Sequence, residues 1–268
     1  MLLRRVIEHV KAQNWTAVGL DFVIVVMGVY LGIQVNNWDQ SRSDRDVEVT
    51  YLELLQSDLR STIKDVNEQI AFEQIQVEQA NAAGRLIGQP PSEIRRRKLG
   101  MILGLLGARR TLKIDSPTFL DLQSSGKLGL IADPDLRNDV VAYFFRIDRW
   151  ESVIEKNNEY FVDRSFNDLL DGLSIGYWLW DREVMGGPSS MEEGVRARLL
   201  VERLDEALVN RGGAVLMSPP EAELWQTVLD QLGTRAGISV TNESFAISIL
   251  EATTDLEAKI AAYLEERK

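Results

Sequence analysis

The residue with the clearest chemical potential is Asp21, an acid set inside an apolar run that extends from Trp15 to Trp38. A carboxylate in that position is a candidate carrier of a proton or ion, because holding a charge among apolar neighbours is costly. A plainer reading is electrostatic, with the acid lying against the positive end of a helix dipole. The only histidine, His9, lies beside Glu8 and Lys11 with nothing nearby to orient it as a base, and it reads as an interfacial side chain. Arg95, Arg96, Arg97 and Lys98 form the main basic cluster, with Arg109 and Arg110 downstream. A helix spreads four consecutive charges round its circumference, so a solvated first turn is expected ahead of an anion or lipid site.

Other chemistry is sparse. No glycine-rich phosphate loop, no His or Cys metal spacing and no nucleophile beside a histidine base occurs, so no cofactor, metal site or catalytic residue is implied. Asp and Glu number 41, which makes any chosen pair of carboxylates uninformative. The absence of Cys excludes disulfides and thiolate metal sites. A formal net charge of −11 argues against an extended nucleic-acid surface, which needs clustered Lys and Arg. The chain is expected not to be an enzyme, a hydrolase with an unrecognised site being one alternative.

The element that positions Asp21 is the run Trp15 to Trp38. At 1.5 Å per residue it spans roughly 34 Å, enough to cross a hydrocarbon core of about 30 Å. Asp21 and Gln34 leave only Phe22 to Ile33 free of strongly polar side chains, which by itself suits a core helix or an interfacial segment as well. The membrane reading rests on Trp15 and Trp38 as interface anchors, on polar residues placed near the ends, and on the absence of Pro. Arg4, Arg5 and Lys11 precede the run against Glu8 alone, whereas the rest of the chain is strongly acidic. That asymmetry predicts a cytoplasmic N-terminus and an extracytoplasmic remainder. No Ala-x-Ala-like site follows the run, so an uncleaved signal anchor is expected rather than a removed leader.

Three parts follow: residues 1–14 as a basic amphipathic helix at the inner interface, 15–38 as the transmembrane anchor, and 39–268 as a helical domain. In the first, Leu3, Val6, Ile7 and Val10 share one face. From Asp44 to Ala83 there is no Gly or Pro, and Leu52, Leu55, Leu59, Ile63, Val66 and Ile70 step by three and four, predicting one long helix nearly continuous with the span. Gly84, Gly88 and Pro90-Pro91 should end it. Ser92 starts a helix to about Leu106, in which Gly100, Gly104 and Gly107 allow close packing. Ser116-Pro117 and Asp133-Pro134 are start signals, with Gly126 closing the first of the two helices. The second should run to about Leu170 with Val140, Tyr143, Ile147 and Ile154 in its core stripe. Residues 171–190 read as a loop, and helices are expected over 191–210, 219–232 and 242–266. The fold class is therefore all-α, a single transmembrane helix followed by a bundle with long, coiled-coil-like helices.

The ending Leu31-Gly-Ile-Gln-Val-Asn-Asn-Trp38, the acidic residue opening the span, and Leu122-Gln-Ser-Ser-Gly-Lys-Leu-Gly-Leu-Ile131 together resemble an uncharacterised family of bacterial one-span membrane proteins, a domain of unknown function. The resemblance implies a bacterial membrane location and supplies no catalytic residue. Ala17 to Met27 also resembles the start of the span in ion-driven stator subunits, which would make Asp21 the proton carrier of an ion-coupled accessory subunit. The leading expectation is a membrane-anchored interaction, scaffold or sensory-type module in the inner membrane. Its partners are the lipid bilayer and a protein or a second copy, the latter through the Gly28 and Gly32 face and the Leu52, Leu55 and Leu59 face.

Overall fold

The computed structural model describes residues 15–173 and 213–267, with side chains from residue 22 in the first stretch, residue 41 excepted, and from residue 214 in the second. Among these residues every regular element is helical. The expectations for residues 1–14, for the loop after residue 173, for the helix over 191–210, and for the side chains of Trp15 and Asp21 lie outside the described part.

Helix α1 runs unbroken from Trp15 to Ile87, 73 residues. The absence of Pro lets it continue, and Gly88 with Pro90-Pro91 stops it as the sequence leads one to expect. Helix α2 (Glu93–Leu106) starts where Ser92 accepts a hydrogen bond from the Arg95 N–H. Helix α3 (Pro117–Ser124) is capped by Ser116 and closes into Gly126, whose φ of 70° favours glycine. A 3-10 turn (Lys127–Leu130) leads to α4 (Pro134–Asn157), where Asp133 accepts from the N–H groups of Asp135 and Leu136. A π-helical stretch, Asn158–Asn167, continues into α5 (Asp168–Gly172). After the short α6 (Gly213–Leu216), α7 occupies Leu224–Glu265 as one 42-residue helix.

Helices α1 and α7 form the spine. Their contacts are antiparallel, with Glu48 beside Tyr263, Gln56 beside Glu257, and Glu73 beside Asn242. The buried residues of α7 step by three and four from Trp225 through Val228, Leu232, Arg235, Ser239, Asn242, Ala246, Ile249, Thr253 and Leu256 to Ile260. On α1 the same alternation runs from Glu48 through Leu52, Leu55, Leu59, Thr62, Val66, Gln69, Glu73, Gln76, Ala80 and Ala83 to Ile87. A repeat of seven residues sustained this long is the pattern of a coiled-coil seam.

Two apolar cores lie along the seam. One packs Leu52, Leu55, Leu59 and Val66 against Phe119, Leu122, Val140, Tyr143, Ile147, Ile249 and Ile260. The other packs Ala80, Ala83 and Ile87 against Leu99, Leu103, Leu106, Phe166, Trp225 and Val228. Between them the seam positions are polar, as Gln69, Glu73 and Gln76 face Arg235, Ser239 and Asn242.

Four expectations are corrected. The helices expected over 219–232 and 242–266 are one helix that starts only at Leu224, because seam packing on both sides of Gly233 and Gly237 outweighs the roughly 1 kcal/mol that a helical glycine costs relative to alanine. The helix after Pro134 is not α-helical to Leu170, since the π stretch takes over at Asn158. The first turn of α2 is only partly solvated: Arg95 and Arg96 are buried while Arg97 and Lys98 are exposed. Arg95 lies 5.4 Å from the Trp225 ring centroid and donates to the Ser218 carbonyl at 3.0 Å, so its guanidinium packs inward as a flat surface. Leu52, Leu55 and Leu59 are consumed by the chain's own bundle and are not free to pair with a second copy. Two of the three expected glycines serve close packing: a methyl at Gly100 in α2 would sit 3.1 Å from Leu216, and one at Gly107, its C-cap, would collide with Asn167.

Candidate functional site

Sequence reasoning pointed to the N-terminal part of α1, and there the helix stands bare. Phe22 to Leu31 are exposed in turn, with Phe22 at 69 %, Leu31 at 61 % and Trp38 at 67 %. Among the described residues, a methyl placed at Gly28 or Gly32 would meet nothing within 4 Å. In an unbent helix of about 100° per residue, these glycines fall on the side turned away from Leu52, Leu55 and Leu59. Among the described residues, no helix is long and apolar enough to cross a membrane. The described side chains begin at Phe22, so Asp21 and Trp15 are brought into no site.

Where the bare segment meets the bundle, Glu48 is 1 % exposed and accepts three hydrogen bonds, from the Ala132 N–H, the Tyr263 hydroxyl and Arg267 Nη1, each at 2.7 Å. Arg267 also lies 4.4 Å from the Tyr263 ring centroid. Burial, and then the bond to Glu48, push the Tyr263 hydroxyl up to about 12. On the outer side of α1 an open groove of about 480 Å³ is lined by Ser43, Asp46, Val47, Thr50, Tyr51, Leu54 and Asp121. A smaller hollow, about 240 Å³, contains Glu151, which accepts from the Ile114 N–H and from Lys113 at 3.4 Å. Burial pushes the Glu151 carboxyl above the usual carboxylate range. Among the described residues, no group of three His, Cys, Asp or Glu side chains is placed to hold a metal ion.

The densest chemistry is the polar layer of the seam. Glu73 Oε1 accepts from Gln69 Nε2 at 2.8 Å and from Asn242 Nδ2 at 3.2 Å. Asn242 also donates to Asn158 Oδ1 at 3.2 Å and accepts from Asn157 at 2.9 Å, which brings the start of the π stretch into the layer. Asn158 in turn donates to the Arg110 carbonyl at 3.2 Å. Arg235 donates to the carbonyls of Leu106 at 2.9 Å and Ala108 at 3.2 Å, and to Ser239 Oγ. It thus caps the C-terminal end of α2, where a cation also meets the negative end of the helix dipole. Glu73 Oε2 lies 3.9 Å from Arg235 Nη1 and has no hydrogen-bond partner, and Gln69 Oε1 and Gln76 Oε1 also have none. Burial pushes the Glu73 carboxyl above its usual range, against the lowering pull of Ser239, Arg235, Asn242 and Gln69. Burial pulls Arg235 down, and Glu73 opposes that.

None of these layer residues was singled out from the sequence. The signal was present: continuing the three-and-four step from Leu59 through Val66 lands on Gln69, Glu73 and Gln76, polar residues in phase with the core. Comparison with family models, with characterised proteins and with solved structures finds no match to this chain.

Proposed function

We propose that the chain is a one-span membrane protein whose helical domain works through protein contacts as a scaffold or sensory-type module. The observation that carries the reading is the run Phe22–Ile33, apolar and exposed on every side of a helix that continues into the bundle without a break. A helix apolar all round its circumference needs an apolar surrounding, and a bilayer supplies one along the whole of its length. The basic residues before the run support an orientation with the N-terminus in the cytoplasm and residues 39–268 on the far side of the inner membrane. Gly28 and Gly32, on the side away from the bundle, offer a close-approach face to a second copy within the bilayer. No catalytic role is assigned to any residue.

The test is a reporter fused after Lys268, together with alkaline extraction of membranes. A periplasm-active reporter should be active, and the protein should stay with the lipid. Release by alkali would remove the span, whereas activity of a cytosol-active reporter alone would reverse the orientation.

A further inference from the structure

We propose that the polar layer is a proton-operated latch in which uptake of one proton by Glu73 tightens the seam between α1 and α7, and loss of that proton loosens it. This goes beyond the membrane reading and does not depend on it.

The argument begins with donors and acceptors. Glu73 Oε2, Gln69 Oε1 and Gln76 Oε1 are three acceptor atoms with no donor in full hydrogen-bond geometry, on residues no more than 3 % exposed, Ser239 lying close enough to Glu73 to favour its ionised form without completing such a bond. They sit on successive turns of one helix face, where side chains three and four apart are neighbours. An ionised carboxylate can only accept, so it adds to the surplus. A proton on Oε2 converts that atom to a donor, and a bond from it to either amide oxygen satisfies two orphaned atoms at once.

Arg235 does not hold Glu73 in the ionised state by direct bonding. Its guanidinium is engaged by Leu106, Ala108 and Ser239, and its approach to Oε2, 3.9 Å, exceeds hydrogen-bond distance. The other cations near the layer make their ion pairs elsewhere, Arg110 to Glu68 at 2.8 Å, with its Nε left without a partner, and Arg109 to Glu155 at 2.7 Å and Asp163 at 3.2 Å. From α7 the layer otherwise receives Ser239 and Asn242, and from the junction of α4 with the π stretch it receives Asn157 and Asn158, all uncharged. Glu73 and Arg235 are therefore the charged groups facing each other in the layer.

Burial raises the folded value of Glu73 above its unfolded one. The folded state then binds the proton more readily. The associated stability is complete below the unfolded value and is lost as pH rises through the folded value. The layer is thus tighter below the folded value of Glu73 and looser above it. Loosening is accommodated in the π stretch, and in the otherwise regular α7 at Gly233 and Gly237, weak helix formers on either side of Arg235.

Hydrogen exchange of the full chain in detergent micelles, read by mass spectrometry at about pH 5.5 and about pH 7.5 and corrected for intrinsic rates, tests this. Exchange across residues 157–167 and 233–242 should be severalfold slower in acid. Glu73→Gln carries a permanent amide donor and should be slow at both values. Protection independent of pH in the parent, or a pH response that survives in Glu73→Gln, overturns the latch. Should Glu73→Gln fail to fold, infrared titration of Glu151→Gln takes its place: a buried protonated carboxylic acid must appear over the same range, and its absence is equally decisive against the proposal.

Discussion

Glu48 near the foot of the bundle and Arg267 just beyond the end of α7 meet at 2.7 Å, so residues 219 positions apart close the same corner of the fold. Glu48 is buried and Arg267 is about one third exposed, and the carboxylate also holds Ala132 and Tyr263. A hydrogen bond to a charged group contributes about 1.5–3 kcal/mol, and three donors lose their acceptor here, of which the partly exposed Arg267 can turn to solvent. Glu48→Ala should lower unfolding free energy by about 2–4 kcal/mol, measured by chemical denaturation. Arg267→Ala should cost less, since its partner keeps two other donors.

Tyr263 supplies a separate readout of that corner. Its folded value, pushed up to about 12, exceeds the unfolded value, so the stability it brings is complete below about 10 and declines as pH rises toward 12. Glu48→Gln removes the negative charge beside the hydroxyl. Ultraviolet titration should then show one tyrosine ionising at lower pH than in the parent; an unchanged titration would mean that burial alone sets the value.

Asp58 joins α1 to the start of α3, accepting from Ser116 Oγ at 2.8 Å and from the Thr118 N–H at 3.2 Å. Ser116 also accepts from the Phe119 N–H at 3.1 Å as the helix cap. Ser116→Ala should cost about 1 kcal/mol from the cap alone, with more from the lost bond to Asp58. Because both residues serve one network, the double variant with Asp58→Ala should cost less than the two single costs together, by about 0.5–3 kcal/mol in a mutant cycle.

Replacing Arg235 strips two carbonyl caps and Ser239 of their donor and leaves Glu73 without a nearby cation. Arg235→Met should destabilise by about 3–5 kcal/mol at neutral pH. The loss should shrink in acid, where Glu73 carries a proton and needs no counter-charge. Adding Glu73→Gln to Arg235→Met should restore part of the stability at neutral pH, and denaturation curves at two pH values read both effects.

Gly28→Ile combined with Gly32→Ile should leave the bundle intact, because among the described residues nothing lies within 4 Å of a methyl at either position. Cross-linking between copies in membranes should fall severalfold while circular dichroism stays helical. Cross-linking equal to the parent would remove the glycine face from the assembly.

Much of the scaffold was legible because its signals are local. Ser92, Ser116 and Asp133 cap helices for reasons contained in three or four residues, and Pro at the first helical position needs no distant partner. The core stripe of α4 was legible through Val140, Tyr143, Ile147 and Ile154 for the same reason. The layer was not, because Glu73 looks like any of the solvated acids around it until Arg235 arrives from 162 residues away. Periodicity also misplaced the stripe on α1: Ile63 and Ile70 suit a 3.6-residue helix, yet the seam keeps Thr62 and Gln69 and leaves both isoleucines half-buried. That choice follows the seven-residue repeat imposed by α7.

The unbroken length of α1 has a mechanical meaning. From Trp38 to Ile87 the helix measures roughly 74 Å at 1.5 Å per residue, a mast with both apolar cores hung along its upper part. If its foot is gripped by a bilayer, a change in tilt of about 5° sweeps the tip sideways by roughly 6 Å, slightly more than the 5.4 Å pitch of a helix turn. Slight leaning at the base would therefore arrive at the crown as a step large enough to exchange one set of neighbours for another.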